Sequence, residues 1–459
     1  MEDREPRLVV AQAQWGSGSS TQRIGTSKKV PKRALGLYEE ALALVRKKYV
    51  RDISTRARLE IAFRKLSLAL LPQCFEGVPP MEECAQPAEE CFLNGLVAVS
   101  RKCDLEVEQV IAMALKIWLR DLDARCALMG KQMLEELKVS TSGKFGGIGI
   151  VVASRAGDYV VVSSIQGSPG QKAGVQAGDV VLAIDGQSIR GLPLIEVLTK
   201  VRGPVESKIS LSIKERGSGI TRRVDLRRRL IRIPPIRYTV LDGGIGYLRI
   251  VNFQRTTALQ AKKALQIMFG SVPGGLSGLI LDLRDNPGGL FDQAIKVADL
   301  LVESAPITKL RGRDKKVNQD FSAGRKGTFP QVPMVVLINR GSASAAEVLA
   351  GALQGRPGVL VVGERSFGKA SVQGIYPLKN GMALRLTTAH YLTADGRDID
   401  GKGIKPDVVV KGLDESRSET GAGRFRHKED LQADRGIAMA IEKLANLRPQ
   451  RLSPFTTLY

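Results

Sequence analysis

Residues 335–353 read VVLINRGSASAAEVLAGAL: an apolar run, a Gly-Ser turn and an Ala-rich helix in direct succession. An uncharged β-branched run of this length suits a strand buried on both faces, as in the parallel sheet of an α/β layer. A serine where such a strand turns into a helix gains two things. Its Oγ is held exposed at the helix N-terminus, and neighbouring backbone N–H groups stand ready to stabilise an oxyanion. Ser342 and Ser344 both qualify by position, although capping the helix is the commoner use of such serines.

The pattern extends on both sides. GIGYLRI (244–250) and GLILDLRD (278–285) read as buried strands, and ALQAKKALQIM (258–268) and DQAIKVADLLV (292–302) as helices. PMVVLINR (333–340) and GVLVVGE (358–364) continue the strand-then-helix alternation of an α/β layer. Upstream the texture differs. FGGIGIVVAS, DYVVVSSI, DVVLAIDG and SKISLSIKE, between Phe145 and Glu215, are short β-branched runs separated by turns, with one helical insert, LIEVLTKVRG (194–203). Before Gly143 the chain reads as helical. Leu37, Ala41, Leu44, Val45 and Tyr49 recur at helical spacing, and further helical stretches cover 56–70 and 105–137.

The expected organisation is therefore a disordered tail over 1–30, a helical, cysteine-bearing region over 31–140, a small β domain over 141–230 and an α/β core over 231–412. A polar linker containing ESRSETGAGRFRHKED (415–430) and a helix at IAMAIEKLANL (437–447) complete the chain, within 413–459. No internal repeat is present.

With 459 residues and 43% hydrophobic content the chain has enough apolar side chains for several cores, which excludes wholesale disorder. No apolar run approaches the roughly 18 residues of a membrane helix. The first twenty residues are polar, with no h-region of a secretory signal. Lys plus Arg is 69 against 47 Asp plus Glu, a net charge of +22. That surplus raises a nucleic-acid-associated protein as one reading, but the basic residues are spread along the chain. The densest stretch, RRVDLRRRLIRIPPIR (222–237), partly alternates with apolar residues as a solvated strand face does, so no nucleic-acid partner is expected. The five cysteines, Cys74, Cys84, Cys91, Cys103 and Cys126, have no Cys-x-x-Cys spacing and no nearby histidine, so no metal site is expected. In an oxidising compartment one or two disulfides would staple this region and leave one thiol over.

A serine nucleophile needs a base, and the chain has only two histidines, His390 and His427. His390 lies in a strand-like run with no acidic orienter evident, and His427 lies in the polar linker. Lys369, in GERSFGKASVQG (363–374), is the alternative. To act as a base near neutrality its pKa must fall by about three units from about 10.4, a differential cost of about 4 kcal/mol, which burial in an apolar pocket supplies. Phe367, Gly368, Ala370 and Val372 suit such a pocket, and Gln373 is near enough in sequence to hydrogen-bond and orient the amine. Separately, FGGIGI (145–150) is a Gly-rich turn opening onto an apolar strand. Its backbone N–H groups suit capture of a carboxylate, and the strand edge beside it suits addition of an extended peptide.

SPGQKAGVQAGDVVLAIDGQSI (168–189) resembles the stretch of a PDZ domain in which a short helix precedes a Gly-Asp turn and strand, and this likeness covers about 145–216. GSASAAEVLAGAL (341–353), VVGERSFGKASVQGIYPL (361–378) and LRLTTAHYLTADGRDIDGKGIKPDVVV (384–410) closely resemble the carboxyl-terminal processing peptidases, or tail-specific proteases. LILDLRDNPGGLFDQAIKVADLL, VLDGGIGYLRIVNF and STSGKFGGIGI are similar to that family too, in its order, so the likeness runs from about Leu119 to Val410.

The resemblance implies a multidomain α/β protein: an N-terminal helical region, a PDZ-like β domain and an α/β (crotonase/Clp-protease-like) protease core. It implies a serine endopeptidase with Ser344 as nucleophile, Lys369 as general base at the family's spacing of 369 − 344 = 25, and Gln373 orienting the lysine. The oxyanion hole falls on the backbone N–H of Ala345 and of Gly288 or Gly289, with the choice between the glycines open. Peptide carboxylate binding falls on Gly146, Gly147, Ile148 and Gly149. Partners are protein substrates with accessible C-terminal tails, with a homodimer or higher oligomer through the helical region and an adaptor as further possibilities. No cofactor or metal is implied, and the family's members are typically extracytoplasmic (periplasm or equivalent). The chain departs from the family pattern at Ala346, where the last serine of Ser-Ala-Ser-Ala-Ser stands, and at LDARC (122–126), where the family often reads Leu-Asp-Pro-His-Ser. The alternative from another class is a catalytically inactive PDZ peptide-binding scaffold.

Overall fold

The computed structural model describes residues 32–410 and 435–447, apart from short gaps at 53–54, 71, 79–80, 82–85, 156 and 326–327. The tail expected over 1–30 and His427 lie outside the described residues.

The α/β core is built on a six-stranded sheet. Its strands run in the spatial order Ile236–Leu241, Ile245–Ile250, Gly278–Asp282, Met334–Ile338, Val359–Gly363, Val408–Val409. All neighbours are parallel except the first pair. The two central strands, GLILD and MVVLI, are buried along their whole length, which is why they carry no alternating polar face. The helices Thr257–Ser271, Phe291–Leu301 and Ala345–Leu353 cover one side, where Leu265, Val297 and Leu349 join Leu281 and Val336 in one apolar cluster. The helix Arg435–Leu447 covers the other side, placing Ile437, Ala440 and Leu444 against Ile280, Val335 and Leu337. The carboxyl ends of the two central strands open into the loops 283–290 and 339–344, the position at which parallel sheets present their functional groups.

A second sheet lies beside this layer. Its long strand Ala383–Leu392 pairs with Ala127–Met129, Pro306–Arg311 and Ser371–Pro377. The pairing with 127–129 explains a departure from the helical reading of 105–137. The helix Val107–Leu122 ends at Asp123, whose backbone is extended, and a new helix begins only at Lys131. Between them the chain leaves helical geometry to join a sheet, with Ala127 opposite Arg385.

The N-terminal helices Lys32–Lys48, Thr55–Ala69, Ala88–Cys103 and Val107–Leu122 share a core containing Leu37, Ala41, Val45, Tyr49, Phe92 and Trp118. Leu44 is only partly buried at the edge of that core. Cys74 and Cys103 form a disulfide that fastens a short 3-10 turn to the end of the third helix. Cys91 is also in a disulfide, and Cys126 is a buried free thiol.

The small β domain has the sheet order 150–155, 158–164, 180–184, 208–214, 221–227, with the helix Leu194–Val201 packed on it through Val197 and Val201. The basic stretch reads as a strand in the structure too. Arg223, Arg227 and Arg229 are solvated, with Arg223 paired to Asp225 and Arg229 to Glu206. Arg228 is the exception. It is buried, and its guanidinium donates to the carbonyls of Lys200 and Val201, neutralising the C-terminal end of that helix. Among the described residues no helix is long and apolar enough to cross a membrane.

Candidate active site

The loop after the strand Met334–Ile338 separates the two serines. Ser342 is buried; its hydroxyl donates to the Leu283 carbonyl at 2.8 Å and accepts the Asn339 N–H at 3.0 Å. It is a structural fastener between the two loops. Ser344 is half-buried at the N-cap of the helix Ala345–Leu353 and has φ +56°, ψ −118°. A non-glycine residue is held in that region only when its surroundings over-determine it, and such strain concentrates at functional sites. Sharp strand-to-helix turns of this kind present a serine Oγ outward.

The surroundings that hold Ser344 are visible. Glu347, one turn into the helix and buried, accepts four hydrogen bonds. Its Oε2 takes the N–H of Ser344 and the N–H of Lys369, both at 2.8 Å. Its Oε1 takes the Ser366 hydroxyl at 2.5 Å and the Gly368 N–H at 2.7 Å. The Tyr391 hydroxyl, also buried, reaches the carbonyl of Ser344 at 3.0 Å and that of Lys369 at 2.6 Å. One carboxylate therefore joins the two N–H groups and one phenol joins the two carbonyls, so the backbones of the expected nucleophile and base are tied together twice.

Lys369 is half-buried, and its amine is held below the ordinary lysine range. Burial is the largest cause, followed by the guanidinium groups of Arg385 and Arg125; Asp123 and Glu347 pull the other way. The apolar pocket expected from its sequence neighbours is only partly made by them. Ala370 is buried, but Phe367 is 63% exposed and turned away into solvent. Part of the remaining environment is imported from residues 122–126. The Asp123 carboxylate accepts the Thr387 hydroxyl at 2.6 Å, and Arg125 pairs with Asp400 at 2.9 Å. Asp400 in turn accepts the N–H of Ala370 at 3.0 Å. The segment that departs from the family's usual wording thus bonds to Thr387 and, through Asp400, to the backbone next to the lysine.

Among the described residues the Lys369 amine is hydrogen-bonded neither to Ser344 nor to Gln373. The Gln373 amide donates instead to Ser371 at 2.8 Å, beside an irregularity in the strand pairing at Val372/Gln373. In substrate-free enzymes catalytic hydrogen bonds are often long and tighten only in the reacting complex. His390 is on the strand Ala383–Leu392 next to Tyr391, and successive strand residues point to opposite faces. With Tyr391 reaching Ser344, His390 faces away; its Nδ1 lies 4.0 Å from Asp400.

The loop 283–290 closes the site. Asn286 donates to the Ile250 carbonyl at 2.8 Å and accepts the Ala343 N–H at its own carbonyl at 2.9 Å. Gly288 has φ +97°, and a Cβ there would lie 2.7 Å from the Ser344 Cβ and 2.9 Å from the Ala345 nitrogen, so no side chain fits between the loops. Its N–H donates to the Asn286 Oδ1 at 2.8 Å. The N–H groups of Gly289 and Ala345 have no acceptor among the described residues. In the β domain, Gly146 and Gly147 are opposite Leu230 and Arg229 in a strand pair, and the following N–H groups of Ile148 and Gly149 have no acceptor among the described residues. The adjoining strand 150–155 is the edge of its sheet.

The model of peptidase family S41 matches residues 244–410, and that of a PDZ domain matches residues 160–215. The carboxy-terminal-processing protease of Bartonella bacilliformis is 38% identical over 346 residues, which is 73% of this chain and 80% of that protein. The chain belongs to the carboxy-terminal processing proteases of peptidase family S41. It is 33% identical over 307 residues to the carboxy-terminal processing protease CtpA of Bacillus subtilis, covering 66% of this chain and 64% of that one. A solved structure of the photosystem II D1 C-terminal processing protease aligns with 83% of this chain and 94% of that chain, at 29% identity and a TM-score of 0.48. The protein is a serine-type peptidase of this family, with a helical N-terminal region, a PDZ domain and an S41 protease core.

Two residues of this S41 site escaped the sequence reading, Glu347 and Tyr391. Glu347 follows the serine by one helical turn, the spacing of a capping box, and that pattern was available. Tyr391 carries no local signal in the sequence: it stands beside His390, and only the strand's facing decides between them.

Proposed function

We propose that this chain cleaves protein substrates as a Ser–Lys dyad endopeptidase, with Ser344 as nucleophile and Lys369 as general base. The observation that carries this is the double tie by Glu347 and Tyr391, which couples a strained, half-buried serine to a lysine whose amine is pushed toward its neutral form. The Ser344 Oγ attacks the scissile carbonyl while neutral Lys369 accepts its proton. Lys369 then returns that proton to the leaving amine, and water, deprotonated by the same lysine, hydrolyses the ester. Gln373 turns from Ser371 to the amine when substrate fills the cleft. The oxyanion is received by the N–H of Ala345 and an N–H of the 288–289 turn. Gly289 is favoured because the Gly288 N–H is already given to Asn286.

The PDZ domain receives the substrate's C-terminus. Its carboxylate accepts from the N–H groups of Ile148 and Gly149 in the turn begun by Gly146 and Gly147. The tail then adds as a strand along the free edge of 150–155. The disulfide Cys74–Cys103 fits an oxidising, extracytoplasmic compartment. Cleavage of an unstructured protein by wild type, Ser344→Ala and Lys369→Ala tests the reading. Wild type is expected to cleave and both variants to be inactive. Equal inactivity of all three over a wide pH range indicates a peptide-binding scaffold instead, and an active Lys369→Ala variant removes the dyad.

A further inference from the structure

The turn at Pro287, Gly288 and Gly289 packs against the nucleophile's loop, and little in its own sequence holds it. Gly288 has φ +97° and Gly289 φ +137°, and two consecutive glycines are the least restrained backbone a chain offers. The geometry of the turn is imposed from outside. On one side it is joined to the buried Phe253, whose N–H donates to the Gly288 carbonyl at 2.9 Å and whose carbonyl accepts the Leu290 N–H at 2.8 Å. The peptide between the glycines is trans, so the C=O of Gly288 and the N–H of Gly289 point in opposite directions. The Gly289 N–H is therefore turned away from Phe253. On the other side Gly288 lies against Ser344 and Ala345, with no room for a Cβ. One donor of the turn remains, the Gly288 N–H, and the Asn286 Oδ1 takes it at 2.8 Å.

We infer that Asn286 is a positioning residue that shapes the oxyanion hole, withdrawing the Gly288 N–H so that the Gly289 N–H serves beside that of Ala345. The inference deepens the function proposed above and rests on Ser344 as nucleophile. Asn286 is fully buried and, among the described residues, is the one side chain hydrogen-bonded to the turn. Its polar groups tie it three ways. The Nδ2 donates to the carbonyl of Ile250, the last residue of a core strand, at 2.8 Å, which fixes the amide to the sheet. The Oδ1 closes a turn onto the N–H two residues on, a bond that asparagine is well shaped to make. The main-chain carbonyl accepts the N–H of Ala343, the residue before the nucleophile, at 2.9 Å. Asn286 thereby sets the sheet, the glycine turn and the serine loop in register with one another. A donor stabilises developing charge best when it is already aimed where that charge will form. An unheld pair of glycines would have to be ordered during the reaction, which slows it.

The test separates the aim of the hole from the amount of folded enzyme. Full-length wild type, Asn286→Ala and Asn286→Ser are compared in cleavage of a peptide taken from a mapped cleavage site, and in reversible inhibition by the aldehyde of the same sequence. The aldehyde reports the hole: a bond forms from the Ser344 Oγ to its carbonyl carbon, the carbonyl π bond opens, the Oγ proton passes to Lys369, and the charged oxygen enters the hole. Asn286→Ala is expected to lower kcat about 100-fold, to leave KM within about twofold, and to weaken aldehyde inhibition about 100-fold in parallel. Asn286→Ser keeps a shorter acceptor that closes the same turn more weakly, so both losses should be about tenfold. It also serves if the alanine variant does not fold. Merely structural damage would reduce the folded fraction, read by thermal melting and by the final extent of fluorophosphonate labelling, and would leave the aldehyde's inhibition constant unmoved. An unchanged kcat, or a fallen kcat with an unchanged aldehyde constant, in folded Asn286→Ala or Asn286→Ser protein overturns the inference. If Ser344→Ala protein binds the aldehyde as tightly as wild type, the nucleophile itself is misassigned and the inference falls with it, a result that needs no variant at Asn286.

Discussion

The Ser344 turn and the Lys369 loop meet in one site but are built in opposite ways. The turn takes its conformation mainly from near neighbours, a buried strand, Asn339 and Ser342 fixing the loop, a strained residue and a carboxylate three positions later, with Leu283, Asn286 and Tyr391 as its distant ties. The lysine is assembled from distance. Its backbone is held by Glu347 and Tyr391, and its charge environment comes from Arg385 on another strand and from residues 123–125 of the helical region. Positioning a nucleophile is a local problem of backbone geometry. Tuning an amine is a problem of dielectric and field, which only the folded molecule solves.

The sharpest way to break the comparison is to exchange the two serines' fates. Ser344→Ala is expected to abolish proteolysis, by about 10⁴-fold or more, with little loss of stability. Ser342→Ala removes the buried hydroxyl that bridges the Leu283 carbonyl and the Asn339 N–H, so it should cost about 1–3 kcal/mol in denaturant unfolding while the chemistry survives. If both variants lose activity equally at equal stability, the separation of roles between the two serines is wrong.

Glu347→Gln comes next, because an amide cannot accept from all four donors that the carboxylate holds. A drop in kcat of about 100-fold is expected, with KM for a peptide substrate little changed, as misplacement of the two reacting groups would give. Tyr391→Phe removes one hydroxyl from the same tie and should lower kcat about tenfold and stability by about 1 kcal/mol, readable by steady-state kinetics and melting. The smallest effect is expected at His390→Gln, within about twofold of wild type since the ring faces away from Ser344, in the range of substitutions outside such features. A large loss there would return the histidine to the list of bases.

The same division explains what was legible beforehand. The central strands could be read because MVVLI and GLILD are uninterrupted apolar runs, and the serine because its turn and helix are contiguous with them. The family likeness then singled out Ser344 from Ser342, a choice that local pattern left open. The break at Asp123 was not legible: residues 105–137 keep an apolar helical texture, and the strand at Ala127–Met129 exists only because Ala383–Leu392 offers an edge. Phe367 misled for a related reason, since an apolar neighbour in sequence marks a pocket only if the backbone turns it inward. Gln373 is read from spacing and from the family likeness, and the structure shows its amide on Ser371, beside the irregular strand pairing.

The central claim is that Lys369 serves Ser344 as an uncharged base. It is tested most directly by the pH dependence of Ser344 acylation by a fluorophosphonate, followed as a rate in wild type and in folded Lys369→Met protein. A lysine held below its ordinary range is neutral only above its lowered pKa, so the wild-type rate should rise with pH through one ionisation below about 10.5 and then level. That rise should vanish in Lys369→Met, leaving a slow and nearly flat residual rate. Persistence of the same rise, at the same midpoint and amplitude, without the lysine would assign the proton acceptor elsewhere.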